Sequence, residues 1–145
     1  MAVQLLIGSV LILATVMLTA LSWWLLEVPL ERFRRWAVRT PRRSRIAVVL
    51  SAVLIYTLAV MTMSVWLWAL AFEALGLFGT LEEAVYFALV SFTTLGFGDI
   101  LLPKDWRLLG GMAAANGFLS FSLLTAILVE TFRVMRRARR GEHFD

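Results

Sequence analysis

The sequence contains no cysteine, one histidine and three prolines in 145 residues. Without cysteine the chain forms no disulfide and no thiolate metal site. The single histidine, His143, leaves no histidine-based metal or catalytic cluster within one chain. No nucleophile–base pair or phosphate-binding loop is visible, so we expect neither enzyme activity nor a bound cofactor.

The chain is instead rich in apolar residues. Hydrophobic residues make up 61% of it, and the mean hydropathy is +0.83. Soluble chains are about 45–50% apolar, and a soluble domain of this length could not hide so much apolar surface from water. The composition therefore predicts a protein of the lipid bilayer.

Four stretches carry no charge: residues 2–26, 46–72, 84–98 and 108–129. A helix needs about 20 residues to cross roughly 30 Å of hydrocarbon, which the first, second and fourth stretches provide. The third is too short and ends at glycines, which is typical of a re-entrant segment. We predict an all-α membrane protein with three transmembrane helices and one re-entrant pore helix.

The first stretch is interpreted as a retained helix rather than a cleaved signal peptide. It lacks a basic start and ends at Trp23, Trp24 and Glu27, where a cleavage site would need small residues. Paired tryptophans at the end of a span are typical of an anchor at the membrane interface.

The basic residues indicate orientation. The net charge is +4, but the arginines concentrate in two blocks beside apolar stretches, which favours contact with anionic inner-leaflet lipids over nucleic acid. The connections between the second and last spans are mixed or acidic. We therefore expect a multi-pass protein of the cell membrane, with the N-terminus outside and the C-terminus cytoplasmic. One lysine against many arginines suggests a bacterial inner membrane. The two blocks are Arg32, Arg34, Arg35, Arg39, Arg42, Arg43 and Arg45, and then Arg133, Arg136, Arg137, Arg139 and Arg140.

The linker 28–45 is predicted to be a basic amphipathic helix on the inner leaflet, starting near Pro29 and ending before Pro41. Its arginines also recur at the steps of a voltage sensor. That alternative lacks preceding helices with acidic partners, which charges inside a membrane need.

The segment after the second span begins with a capping motif. Thr80 and Glu83 form an S/T-x-x-E box, which predicts a helix over 81–92. About 18 Å long, such a helix reaches halfway across the bilayer. Its C-terminus then presents partial negative charge at the bilayer centre, where it stabilises a dehydrated cation. Gly96 and Gly98 follow, and their conformational freedom allows consecutive carbonyls to turn toward one axis and replace the hydration shell of that cation.

The run Thr94-Leu95-Gly96-Phe97-Gly98-Asp99 resembles the potassium-channel selectivity filter Thr-Val-Gly-Tyr-Gly-Asp. The stretch 116–126 is also similar to the inner helix of two-helix potassium channels. The resemblance covers about residues 46–133 and leaves the first helix out. It implies potassium-selective conduction, with permeant K⁺ at the carbonyls of Thr94, Leu95, Gly96 and Phe97 and at the Thr94 hydroxyl. It also implies a fourfold homotetramer, since each chain supplies one strand of the ring.

This resemblance divides the chain into an additional helix 1–27, the linker 28–45, a pore domain 46–132 and a basic tail 133–145. Within the pore domain we predict an outer helix 46–72, a pore helix 81–92, a filter 93–99 that includes Thr93, and an inner helix 108–132.

Two departures from the family pattern affect the support of the filter. Phe97 replaces a tyrosine and Phe87 a tryptophan, which predicts an aromatic contact in place of a hydrogen bond. Val90 stands where some members carry a glutamate, so we expect Asp99 to accept a hydrogen bond from Tyr86 instead.

Three residues of the inner helix have more than one interpretation. Gly117 is predicted to be a gating hinge, although small residues also serve helix packing. Asn116 faces either the ion pathway or the back of the filter. Glu130 and Arg133 are expected to pair within the helix.

Three rival functions remain: a non-selective cation channel on the same frame, a potassium transporter subunit, and a non-conducting regulatory subunit. The transporters fold several degenerate repeats into one chain, whereas this chain has one repeat with both filter glycines.

Overall fold

The computed structural model describes residues 1–39 and 43–140, in which every regular element is helical. The four α-helices are α1 (Ala2–Arg39), α2 (Arg43–Ala74), α3 (Leu81–Phe92) and α4 (Arg107–Arg140), and a short 3-10 helix (Lys104–Trp106) precedes α4. Three segments are long and apolar enough to cross a membrane: Ala2–Ser22, Ala47–Ala74 and Lys104–Arg133. The prediction of an all-α protein with three spans is confirmed.

The first helix is longer than predicted. Instead of a new helix starting at Pro29, α1 runs without a break to Arg39. A proline inside a helix removes one backbone hydrogen bond but does not always end the helix. The change from apolar to basic residues after residue 27 therefore occurs within one continuous helix. The predicted stop at Pro41 and residues 141–145 of the predicted tail lie outside the described residues.

The core lies where α2, α3 and α4 meet. Its largest fully buried side chains are Trp68 and Phe72 of α2, Phe92 of α3 and Leu109 of α4. Alanines on the facing helices, among them Ala88 and Ala113, are also fully buried. Small residues allow close approach of helices in a membrane, where packing rather than the hydrophobic effect holds helices together. The half-length helix α3 is thereby enclosed by two full-length ones.

Helix α1 packs against both α2 and α4. Its inward face carries small and polar residues: Gln4, Gly8, Thr15 and Thr19 are buried. A Cβ on Gly8 would overlap the Met112 side chain of α4, and the Gln4 amide donates a hydrogen bond to the Asp105 carbonyl. The contact of α1 with α4 was not predicted from the sequence.

A second link joins α1 to α2. The hydroxyls of Ser22 and Tyr56 are 3.1 Å apart. On the inward face of α1, Thr15 and Thr19 donate their hydroxyls to the carbonyls of Leu11 and Thr15, at 2.8 and 2.9 Å. The buried threonines therefore satisfy their polar groups within the helix and leave their methyl groups for packing.

The Glu130–Arg133 pair predicted from the spacing is present, with 3.4 Å between Oε2 and Nη1. Both side chains are about three-fifths exposed, so outside a membrane the pair contributes little to stability.

Gly117 lies where α4 crosses the end of α3. A Cβ at this position would overlap the Phe92 carbonyl oxygen and would lie 2.6 Å from the Phe92 Cα. Helix α4 is continuous through Gly117. The static structure therefore explains this glycine by backbone-to-backbone packing, and its use as a hinge stays a prediction about motion.

Gly117→Ala is expected to destabilise the protein by about 1–3 kcal/mol or more, because the atoms it would displace are backbone. Gly111→Ala is the matched control, since a Cβ on this glycine of the same helix meets nothing within 4 Å. The loss of folded protein on heating in detergent measures the thermal stability of both variants. Equal thermal stability of the two variants would contradict the packing explanation.

Candidate functional site

The site begins at the N-terminus of α3, which is capped by side chains. Thr80 has extended backbone dihedrals (φ −139°, ψ 152°), and its hydroxyl accepts a hydrogen bond from the Glu83 N–H at 3.2 Å. The Glu83 carboxylate accepts from the Gly79 N–H at 3.1 Å. The predicted bond between Thr80 and Glu83 is present and α3 spans Leu81–Phe92, while the Glu83 carboxylate returns to the residue before the N-cap. Glu82 and Glu83 lie in the first turn, where negative charge complements the helix dipole.

At the other end of α3, the chain that follows the helix satisfies its last carbonyls. Four successive N–H groups turn back onto the helix, and the Thr93 hydroxyl joins them by donating to the Leu89 carbonyl at 2.8 Å. The backbone bonds run from Thr93 to Leu89 at 3.0 Å, from Thr94 to Ser91 at 3.0 Å, from Leu95 to Val90 at 3.0 Å and from Gly96 to Val90 at 3.4 Å. The segment 93–99 is thus tied by its donors to the end of the helix.

Beyond this point the sign of φ alternates along the backbone. Thr94, Gly96 and Gly98 have φ of 58°, 57° and 77°. Leu95 and Phe97, between them, have negative φ, since Thr94 is the one non-glycine residue with positive φ in the described chain. Alternating left- and right-handed residues turn successive N–H groups toward one side of the chain and the carbonyl oxygens toward the other.

Among the described residues, the carbonyl oxygens of Thr94 to Gly98 have no backbone partner. None of them accepts a hydrogen bond from a backbone N–H in the ranges 1–39 and 43–140. All residues from 93 to 99 are exposed on the isolated chain. Because backbone polar groups at membrane depth must be satisfied by protein, water or an ion, these oxygens are free to bind a ligand from outside the chain.

The conformation, rather than lack of space, requires the two glycines. A Cβ on Gly96 or Gly98 would meet nothing within 4 Å, but positive φ is strained for any L side chain. Thr94 adopts positive φ despite its branched Cβ, which costs on the order of 1–3 kcal/mol. Such strain persists where the surrounding structure enforces it, and it is concentrated at functional sites.

Asp99 is held by the partner predicted for it. The Tyr86 hydroxyl donates to Asp99 Oδ2 at 2.5 Å, and the Ile100 N–H donates to Oδ1 at 3.0 Å. The Tyr86 hydrogen bond lowers the pKa of Asp99, and the same bond raises the pKa of Tyr86. Val90, at the position of the missing glutamate, is 8% exposed and apolar. The predicted hydrogen bond is present; its effect on the filter stays a prediction.

The predicted contact between Phe87 and Phe97 is not made within this chain. Phe87 packs against Phe72 and Phe78, with ring centroids 5.4 and 5.2 Å away. The Phe97 side chain is 66% exposed on the isolated chain. The contact with Phe72 of α2 is edge-to-face, and the contact with Phe78, in the loop after α2, is tilted; aromatic rings favour both arrangements over a face-to-face stack.

For Asn116 the structure shows a contact that the sequence did not predict. This residue is 1% exposed and lines a cleft between α1 and α4. The polar residues on the inward face of α1 are the sequence signal that would have indicated this contact, because polar side chains inside a span turn toward other helices. Among the described residues, no group of three or more His, Asp or Glu side chains is arranged to hold a metal ion.

Three apolar spans, a half-length helix and a segment with unpartnered carbonyls define a multi-pass membrane protein with a pore-loop arrangement. The chain belongs to the ion channel family, which matches residues 46–134. The match takes in α2, α3, the 93–99 segment and most of α4, and leaves α1 out. This is a family of channels rather than of enzymes. No curated protein and no solved structure matches the chain.

Tyr86→Phe is expected to raise the pKa of Asp99, because the largest contribution to its lowered value is lost. A lowered pKa means that the ionised form stabilises the fold above the ordinary pKa of Asp, and that this stabilisation is lost as pH falls through the lowered value. In the variant, this stabilisation should be smaller, and Asp99 in the folded protein should titrate at higher pH.

The carboxyl ¹³C shift of labelled aspartate reports this titration directly. Tyr56→Phe is the matched control, since it removes the only other tyrosine hydroxyl, which pairs with Ser22 rather than Asp99. Identical Asp99 midpoints in the two variants would show that the hydrogen bond has no influence on the carboxylate.

Proposed function

We propose that this ion channel protein is a potassium-selective subunit that conducts dehydrated K⁺ past the carbonyls of Thr94, Leu95, Gly96 and Phe97. The observation that carries the proposal is the alternation of φ over residues 94–98, which leaves five successive carbonyl oxygens without partners. Neutral carbonyl oxygens in a row replace the water around a cation without trapping it. K⁺ is thus a permeant ion and not a bound cofactor.

The electrostatics of α3 favour a cation at this place. Its N-terminus carries two glutamates, and the helix is about 18 Å long, so that its C-terminus reaches the middle of a bilayer. The negative end of the dipole then lies beside the 93–99 segment and stabilises a cation that has lost its water. The Thr94 hydroxyl adds a further oxygen at the inner end of the row.

Four copies are needed to complete the ring. One chain offers oxygens from one side, and its residues 93–99 are all exposed. Rotational symmetry repeats the same strand around an axis, as cyclic homo-oligomers do. Exposed apolar residues on α4, among them Phe118 and Phe121 at 63% and 60%, then face the axis below the ring. Cross-linking in bilayers should end at four chains; a monomer would contradict the proposal.

Gly96→Ala is expected to abolish K⁺ flux into liposomes containing the purified protein, because alanine disfavours the φ of 57° that aligns the carbonyls. Gly76→Ala is the matched control: Gly76 has φ of 65° and equally free surroundings, but lies in the turn after α2. Both variants carry the same backbone strain, so a loss of flux confined to Gly96→Ala locates the ion path.

Reversal potentials in mixed K⁺ and Na⁺ solutions separate the proposal from its rivals. A strong preference for K⁺ is expected. Equal permeation of both ions would indicate a non-selective cation channel, and the absence of flux in the unaltered protein would indicate a non-conducting subunit. Equal K⁺ flux in Gly96→Ala and Gly76→Ala would show that the carbonyls of Thr94 to Phe97 do not conduct the ion.

For orientation, we propose that the N-terminus is outside and the C-terminus cytoplasmic, with the arginine blocks against anionic inner-leaflet lipids of a bacterial inner membrane. The Gln4–Asp105 hydrogen bond supports the relative sidedness, since it joins the start of α1 to the approach to α4. In this cysteine-free chain, Lys104→Cys should react with an impermeant thiol reagent from outside, and Arg136→Cys only after permeabilisation. The reverse pattern would invert the topology.

A further inference from the structure

A cleft of about 430 Å³ lies between α1 and α4. It is lined by Val16, Thr19 and Ala20 from α1 and by Asn116, Leu119, Ser120, Leu123 and Ile127 from α4. Its size falls within the range of small-molecule sites, which are mostly apolar with a few polar groups that orient the ligand. The lining has this composition.

The polar group that matters is the Asn116 amide. Asn116 is 1% exposed, and its Nδ2 has no hydrogen-bond partner among the described residues. A buried donor without an acceptor is costly, and more so at membrane depth, where no bulk water is available. Asn116 is one of the residues that line the cleft.

We propose that this cleft binds an uncharged, membrane-soluble amphiphile whose apolar body fills the space between α1 and α4 and whose oxygen accepts a hydrogen bond from Asn116 Nδ2. A single water would satisfy the donor but would leave most of an apolar space of this size empty. A ligand with both an apolar body and an acceptor fits the two requirements together.

The depth of Asn116 separates such a ligand from a phospholipid. Asn116 is adjacent to Gly117, which lies against Phe92 at the end of the half-length helix α3. That level is about the middle of the bilayer, where an acyl chain offers no acceptor and the ester oxygens of a lipid lie farther out. The ligand must therefore carry its oxygen on a body short enough to enter fully.

The face of α4 that lines the cleft favours entry of a ligand from the surrounding lipid. Residues 116, 120, 123 and 127 follow steps of four, three and four, so they share one face of α4. Phe118, Phe121 and Thr125 lie on the opposite face, which turns to the axis in the proposed tetramer. This step and the depth of Asn116 rest on the proposed function; the cleft, its volume and the unpartnered amide do not.

The test uses the full chain in liposomes and two photoreactive probes of equal length: a medium-chain alcohol that carries a diazirine, and the matched alkane. Labelled residues are identified by mass spectrometry of the peptides. We expect saturable labelling of the cleft, with a preference of about fivefold to tenfold for the alcohol, as one hydrogen bond provides.

Three variants define the site. Asn116→Leu keeps the volume but removes the donor, so the preference for the alcohol should fall to parity. Leu123→Trp fills the cleft and should abolish labelling by both probes. Ile55→Trp adds the same bulk at an exposed position of α2 and should leave both unchanged. Ala20→Phe fills the cleft from α1 with Asn116 intact, and serves if Leu123→Trp does not fold.

Three outcomes would overturn the proposal. Equal saturable labelling by the alkane would point to an acyl chain as the occupant. Labelling that never saturates would show no site. Exclusion of both probes, together with a cross-link from the cleft to a second chain, would show that another copy fills it. None of these readouts uses ion flux. The ligand proposal can therefore fail while the proposed conduction stands, and the proposed conduction can fail while the ligand proposal stands.

Discussion

The architecture depends on one constraint: backbone N–H and carbonyl groups within a membrane need partners. At the end of α3, the helix leaves its last carbonyls open, and the N–H groups of the next four residues close them. Each of those donors is used once, inside the chain. The carbonyls of Thr94 to Gly98 that follow are consequently left without a backbone donor among the described residues. The end of the helix and the unpartnered carbonyls are thus two consequences of one hydrogen-bond pattern.

The local features of this region were predictable because each depends on neighbours in sequence. The Thr80–Glu83 cap and the length of α3 follow from short-range chemistry. The Tyr86–Asp99 bond was predictable for a related reason, since the family pattern identified a carboxylate that had lost one partner and a hydroxyl within reach.

Features that depend on the packing of distant segments were not predictable in the same way. The apolar pattern of residues 2–26 indicates a span but does not say which helix it meets, and the contact of α1 with α4 came from the structure. Phe87 was assigned to Phe97 by analogy, and within one chain its aromatic partners are Phe72 of α2 and Phe78 of the following loop. For Gly117, the sequence favoured a hinge over close packing; the position of the Phe92 carbonyl shows the close packing, and the hinge stays a prediction.

The meeting of Gly117 and Phe92 also has a mechanical meaning. Backbone packs against backbone there, so α4 cannot move closer to α3 at this level. C-terminal to Gly117, α4 continues to Arg140, and just before its N-terminal end the Asp105 carbonyl accepts a hydrogen bond from Gln4 of α1. A sideways load on the C-terminal part of α4 would therefore pivot on this contact and be transmitted to Phe92, which ends α3. Force applied near Arg140 would reach the segment 93–99 at its first residue.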